Sequence, residues 1–150
     1  MPTITDFLST SRLFLLGSLL IAHPIAHAGD GNTLNVTLQN VRDASGTVRA
    51  GLYREPATFR KEDKAVEIAQ ASAASGAVTL TFRNLPPGRY AIMAYHDENG
   101  DGQLNRRFGM FPTEGYGLSN NPQVSGPPAF EDSAFEVAAP ETAITIELRY

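Results

Sequence analysis

Three features of the chain predict an all-β fold: period-two alternation of apolar and polar residues, a strong Pro-Gly turn, and no sustained helical period. The expected architecture is a Greek-key β-sandwich of immunoglobulin or transthyretin type, with six or seven strands and one long ordered loop. In the first strand Leu34, Val36 and Leu38 alternate with Thr33, Asn35, Thr37 and Gln39. In the second, Val48, Ala50 and Leu52 alternate with Thr47, Arg49 and Tyr53. Asp43-Ala44-Ser45-Gly46 between them reads as a hairpin turn. Residues 55–64 carry Pro56 and clustered charge, the mark of a surface connection with one helical turn. Val66-Glu67-Ile68-Ala69-Gln70 is a candidate strand, and the Ala/Ser stretch after it up to Gly76 reads as loop. Val78, Leu80 and Phe82 alternate again, with Thr79, Thr81 and Arg83.

Asn84-Leu85-Pro86-Pro87-Gly88 then forces a turn, because Pro fixes φ and Gly accepts positive φ. Residues 89–96 are apolar at both parities, so this strand should be central and covered on both faces. Residues 99–132 hold no lasting period, yet Phe108, Met110, Phe111, Tyr116, Leu118 and Phe130 are interleaved along them. Flexible linkers lack such anchors, and a compact domain seldom carries so long a connection without a use, so an ordered loop is expected. Phe135 and Val137, and then Ile144, Ile146, Leu148 and Tyr150, supply the closing strands.

Ahead of this pattern, Arg12 precedes an apolar run of ten residues ending at Ala22, then Pro24 and Ala26-His27-Ala28. That is the layout of a cleavable signal peptide spanning residues 1–28, and the run is short of the roughly 20 residues that span a bilayer. The expected product is exported, periplasmic or secreted, with a single domain at 29–150 and no membrane span after cleavage. Such a chain can bury about two-thirds of its unfolded surface. With no Cys, it is held by packing alone or by packing plus a metal ion, and it carries no lipid-modified cysteine. A net charge of −4, with no basic stripe, argues against a nucleic-acid partner.

The chemistry is concentrated in His96-Asp97-Glu98-Asn99-Gly100-Asp101-Gly102-Gln103-Leu104-Asn105. Calcium takes 6–8 oxygens, and a calcium loop presents them from alternate positions around a glycine turn. Asp97, Asn99 and Asp101 fall at the first, third and fifth positions, Gly102 at the sixth, Gln103 (through its carbonyl) at the seventh and Asn105 at the ninth. Position twelve is Phe108, so a bidentate carboxylate would have to come from Glu114, Glu131 or Asp132, and Arg106 and Arg107 lie close by. With two formal carboxylates, affinity should fall on the order of 10⁻⁴ to 10⁻³ M, as in extracellular modules. The other reading of the same residues is turn chemistry between strands, which Asp, Asn and Gly also favour.

Rival sites are weaker. His96 ends the central strand without a Cys or a nucleophile elbow to serve, and reads as a strand-end histidine bonded to the loop. A copper site with Met93 and Met110 is disfavoured because Met93 and His96 have opposite parity. Carboxylates such as Asp101 with Glu114 or Asp132 could serve an envelope-polymer hydrolase, but no spacing selects a pair. Tyr95, Phe108, Phe111 and Tyr116 could form an aromatic platform for a cell-envelope glycan or protein, or could simply anchor the loop.

Four segments, Asn84-Leu85-Pro86-Pro87-Gly88-Arg89-Tyr90, His96-Asp97-Glu98-Asn99-Gly100-Asp101-Gly102, Gly115-Tyr116-Gly117-Leu118-Ser119-Asn120-Asn121 and Gly126-Pro127-Pro128-Ala129-Phe130-Glu131-Asp132, together resemble the bacterial domain-of-unknown-function family 2141. The resemblance extends over nearly the whole chain after the signal. Its first segment is shared with transthyretin-like and carboxypeptidase-regulatory-type sandwiches. The resemblance implies a small exported β domain with no established activity and supplies no catalytic residues. It also implies that an Asp is common near position 105, where this chain has Asn105.

Overall fold

In the computed structural model, residues 31–150 are described. The expected signal peptide, residues 1–28, lies outside the described residues. The chain forms β1 (Asn32–Val41), β2 (Thr47–Tyr53), a 3₁₀ turn at Glu62–Lys64, β3 (Glu67–Ser72), β4 (Gly76–Leu85) and β5 (Gly88–Asp97). The short strands β6 (Arg106–Arg107), β7 (Phe111–Pro112) and β8 (Tyr116–Leu118) follow. Then come the one-turn helix α1 (Phe130–Ser133), β9 (Phe135–Val137) and β10 (Glu141–Glu147).

Two sheets pack face to face, so the all-β sandwich read from the alternation is the observed architecture. One sheet has the order β10-β1-β4, with β1 and β10 parallel. The other has the order β3-β2-β5-β8, and β9 takes the same edge of β5 nearer its start. Parallel neighbours need a long crossover, and here nearly the whole domain lies between β1 and β10. The shared core is the inward parity of each strand: Leu34, Val36 and Leu38 of β1; Val48, Ala50 and Leu52 of β2; Leu80 and Phe82 of β4; Tyr90, Ile92 and Ala94 of β5; and Ile146 of β10. The crossover from β4 to β5 is closed by Tyr90, whose hydroxyl donates to the Pro86 carbonyl at 2.7 Å.

β5 is central and buried on both faces, as its composition requires. Its outward residues Ala91, Met93 and Tyr95 form a second apolar cluster with Tyr53, Phe59, Leu104, Leu118 and Phe130. Residues 99–134 and the segment after β2 supply that covering layer.

Three expectations need correction. β1 and β2 are not a hairpin, since they lie in different sheets, and β2 pairs with β3 and β5 instead. Gly46 (φ +63) is pressed against the end of β5, where an added Cβ would clash with the Asp97 carbonyl oxygen, and this turn hands the chain to the opposite sheet. Alternation tells which face of a strand is buried but not which strand lies beside it. The described residues form ten strands instead of six or seven, because β6, β7 and β8 are two or three residues long, too short for a period to show. The Ala/Ser stretch read as loop carries β3 on to Ser72, where Ala71 packs on the core.

Candidate binding site: the acidic loop and the groove beside it

β5 ends by sending His96 inward and Asp97 outward, both essentially inaccessible (0 % and 2 % exposed). His96 Nε2 lies 2.7 Å from the Ser45 carbonyl and therefore carries a proton, while Nδ1 is 2.8 Å from the Tyr150 hydroxyl. Tyr150 in turn accepts the Arg42 N–H at 2.9 Å. Both ring nitrogens are thus engaged in joining the end of β5 to the first turn and to the chain terminus. His96 stands at the strand end as expected, but its hydrogen-bond partners are the first turn and Tyr150 instead of the acidic loop, and Met93 faces the other side of the sheet.

The Asp97 carboxylate organises the acidic loop. Its Oδ1 accepts the N–H groups of Gly100 (2.8 Å) and Asp101 (3.1 Å), and its Oδ2 accepts that of Gly102 (2.8 Å). Gly100 and Gly102 both have positive φ (74° and 76°), the curvature that aims successive N–H groups at one point. Asn99, Asp101 and Asn105 converge further out: Asp101 Oδ2 accepts from Asn105 Nδ2 (2.8 Å) and Asn99 Nδ2 (3.3 Å), and Asn99 Nδ2 also reaches Asn105 Oδ1 (2.9 Å). Asp101 Oδ1 accepts the Gln103 N–H at 2.9 Å. The Asn105 amide, and after it the Gln103 N–H, hold the Asp101 carboxyl below its ordinary value. That direction is opposite to what a general acid needs. The Gln103 side chain lies apart from this triangle, lining the smaller cavity described below.

Of the three acids considered for the missing twelfth ligand, only Glu114 reaches the loop. Its Oε1 accepts the Glu98 N–H (3.0 Å) and its Oε2 the Asn105 N–H (2.9 Å), so one carboxylate ties the two ends of the loop together. Glu131 instead pairs with Arg89 at 2.7 Å, and Asp132 accepts the Ala129 N–H at the start of α1. Asp97 and Glu114 are both buried, and neither has a cationic partner among the described residues. Among the described residues no three His, Asp or Glu side chains gather as a metal centre would require, so any cation here would depend on amide and carbonyl oxygens as well.

The remainder of the irregular segment is pinned by side-chain hydrogen bonds to backbone. Ser119 Oγ accepts the buried Ile92 N–H (2.8 Å) and donates to the Ser133 carbonyl. Asn120 donates to the Ala134 carbonyl (2.8 Å), and Asn121 both donates to Thr145 (3.1 Å) and accepts from Glu147 (2.8 Å). Phe130 closes the layer against Phe59, edge to face at 5.9 Å. The loop is therefore ordered, as its interleaved aromatics suggest.

Between this layer and the outer face of β5 and β8 runs a groove of about 640 Å³, lined by Met93, Leu104, Met110, Phe111, Leu118 and Pro128 among others. A smaller cavity of about 170 Å³ adjoins it, with Tyr53, Glu62, Tyr95 and Gln103 in its wall. Arg60, Met93, Leu104 and Arg106 line both. Inside the smaller one, Glu62 is paired with Arg49 and accepts the Tyr95 hydroxyl at 2.7 Å. Burial and that hydrogen bond push the Tyr95 phenol well above its ordinary value, and burial raises Tyr53 to about 12, so both stay neutral. The four aromatics considered as a platform do not share one surface: Tyr95 is in the smaller cavity, Phe111 and Tyr116 line the groove, and Phe108 stands 82 % exposed at the β6–β7 tip. Arg60 and Leu104 carry no sequence motif. Their place in the groove depends on which loops fold over β5.

The protein is thus a two-sheet β-sandwich whose outer sheet face is roofed by an ordered, hydrogen-bonded loop. The sequence model of the DUF2141 family, described as an uncharacterized protein conserved in bacteria, matches residues 36–145, and the chain belongs to that family. No curated protein matches it, and no solved structure does.

Proposed function

We propose that this is an exported, non-enzymatic binding domain whose ligand site is the groove on the outer face of the five-stranded sheet. The observation that carries this reading is the groove itself: about 640 Å³, walled mainly by apolar side chains. Small-ligand sites have volumes of roughly 300–1,000 Å³ and just this mixture of apolar walls and a few polar groups. Met110 and Phe111 are 68 % and 62 % exposed although they line it, which is the apolar area that an occupant would cover. Export is supported by the N-terminal signal pattern. A neutral, environment-sensitive dye such as Nile red tests the groove. Its fluorescence should rise on mixing with the protein and fall when Met110→Ser and Phe111→Ser are combined. A signal indifferent to that pair would discard the site.

A second reading concerns calcium in the acidic loop, and the burial of Asp97 and Glu114 without a cationic partner among the described residues favours it. Buried charges are ordinarily paired or metal-bound. Rotation of the Asn99 and Asn105 amides would turn oxygens instead of N–H groups toward Asp101. The ion would then fasten the roof of the groove in place. With about 10 mM calcium and a Kd of about 1 mM, binding to the folded state adds about 1.4 kcal/mol, or roughly 5 °C in Tm. Equal melting temperatures in calcium and in chelator would remove the ion from the account.

A further inference from the structure

We propose that the groove takes a single-chain amphiphile, its apolar tail along Met93, Leu104, Phe111 and Leu118 and its one anionic head group between Arg60 and Arg106. The inference rests on the groove being a ligand site, and it adds the chemical class of the ligand. Arg60 and Arg106 line both the groove and the smaller cavity, so they sit where the two meet. Neither forms an ion pair among the described residues. Among the described residues the one carboxylate in the wall of either cavity is Glu62, in the smaller, and it is already matched by Arg49 and by the Tyr95 hydroxyl. The junction is therefore locally positive in a chain whose net charge is −4. A guanidinium is a planar fork suited to carboxylate, phosphate or sulfate oxygens, and two of them at the end of an apolar trough select an anion with a tail. Arg60 also holds φ at 65°, a conformation sparsely used by non-glycine residues and one that gathers at ligand sites.

Calorimetric titration of the purified protein with dodecanoate and dodecyltrimethylammonium below their micellar concentrations, and with dodecanol below its solubility limit, tests this. Dodecanoate should bind at least about tenfold more tightly than dodecanol, as a charge-assisted hydrogen-bonded contact requires, and the cation should bind most weakly. Combining Arg60→Gln with Arg106→Gln should bring dodecanoate down to the affinity of dodecanol while leaving dodecanol unchanged. Combining Met110→Ser with Phe111→Ser should weaken both ligands by the same factor. All four side chains are exposed, so these variants keep the fold. Equal affinities for acid and alcohol, unmoved by the arginine pair, would overturn the anionic head group while leaving the groove in place. No binding of any amphiphile, or binding indifferent to Met110 and Phe111, would overturn the groove and the inference together. Sedimentation with phosphatidylglycerol vesicles in the absence of binding to the single-chain probes would assign this face to a membrane surface, and would likewise overturn it.

Discussion

The two faces of β5 bury neighbouring residues by different means. On the inner face Tyr90, Ile92 and Ala94 meet the opposite sheet, and the cluster there is built almost wholly from aliphatic residues in regular strands. On the outer face Ala91, Met93 and Tyr95 are covered by chain with little regular structure, and the layer is held by Asp97, Glu114 and Ser119 accepting backbone N–H groups and by Asn120 and Asn121 donating to backbone carbonyls. The inner face is close-packed and closed, while the outer keeps a groove. An irregular segment cannot satisfy its own backbone through a ladder, so side chains must do so, and the shape left over is free to become a site.

Substitutions can separate the two faces. Ile92→Ala, which opens a cavity between the sheets, should cost about 4 kcal/mol in chemical denaturation. Asp97→Ala removes the acceptor for three N–H groups and should cost about 3 kcal/mol, with increased hydrogen exchange confined to residues 98–105. Met93→Ala, one residue from Ile92 but beside the open groove, should cost only about 2 kcal/mol, because solvent or neighbouring side chains can enter the space. A Met93→Ala loss equal to that of Ile92→Ala would mean that the outer face is packed as tightly as the inner. Glu114→Gln leaves one of the Glu98 and Asn105 N–H groups facing an amide NH₂, and should cost about 1.5 kcal/mol. The smallest effect is that of pH on Asp101. Its folded pKa lies below the ordinary 3.8, so its contribution is present above that pH and is lost as pH falls through the lowered value. Asn105→Ala should shrink this acid-limb dependence, and an unchanged acid limb would show that the Asn105–Asp101 contact is not maintained in solution.

Much of the fold was legible in the chain. Leu34, Val36 and Leu38, and Val78, Leu80 and Phe82, announce which parity turns inward, because only a pleated strand places alternate residues on one face. The two-sided burial of β5 followed from its continuous apolar run. Partners were not legible: the Asp43 to Gly46 turn looks like a hairpin, yet it delivers β2 to the opposite sheet. In the candidate site, Asp97, Asn99, Asp101 and Asn105 were visible as oxygen-bearing side chains at fixed spacing, and Glu114 as one of three acids able to join them. That it is Glu114, and not Glu131 or Asp132, follows from where the returning chain passes.

By itself the sequence determined local conformation, the inward set of each long strand, the cluster of oxygen-bearing side chains after β5 and the order of the long loop, since each depends on residues near one another in the chain. Only the tertiary structure decided the sheet each strand joins, the acid that staples the loop, and the placement of Arg60 and Arg106 in the walls of the same two cavities. Those depend on contacts between residues up to more than a hundred positions apart, which no local period encodes.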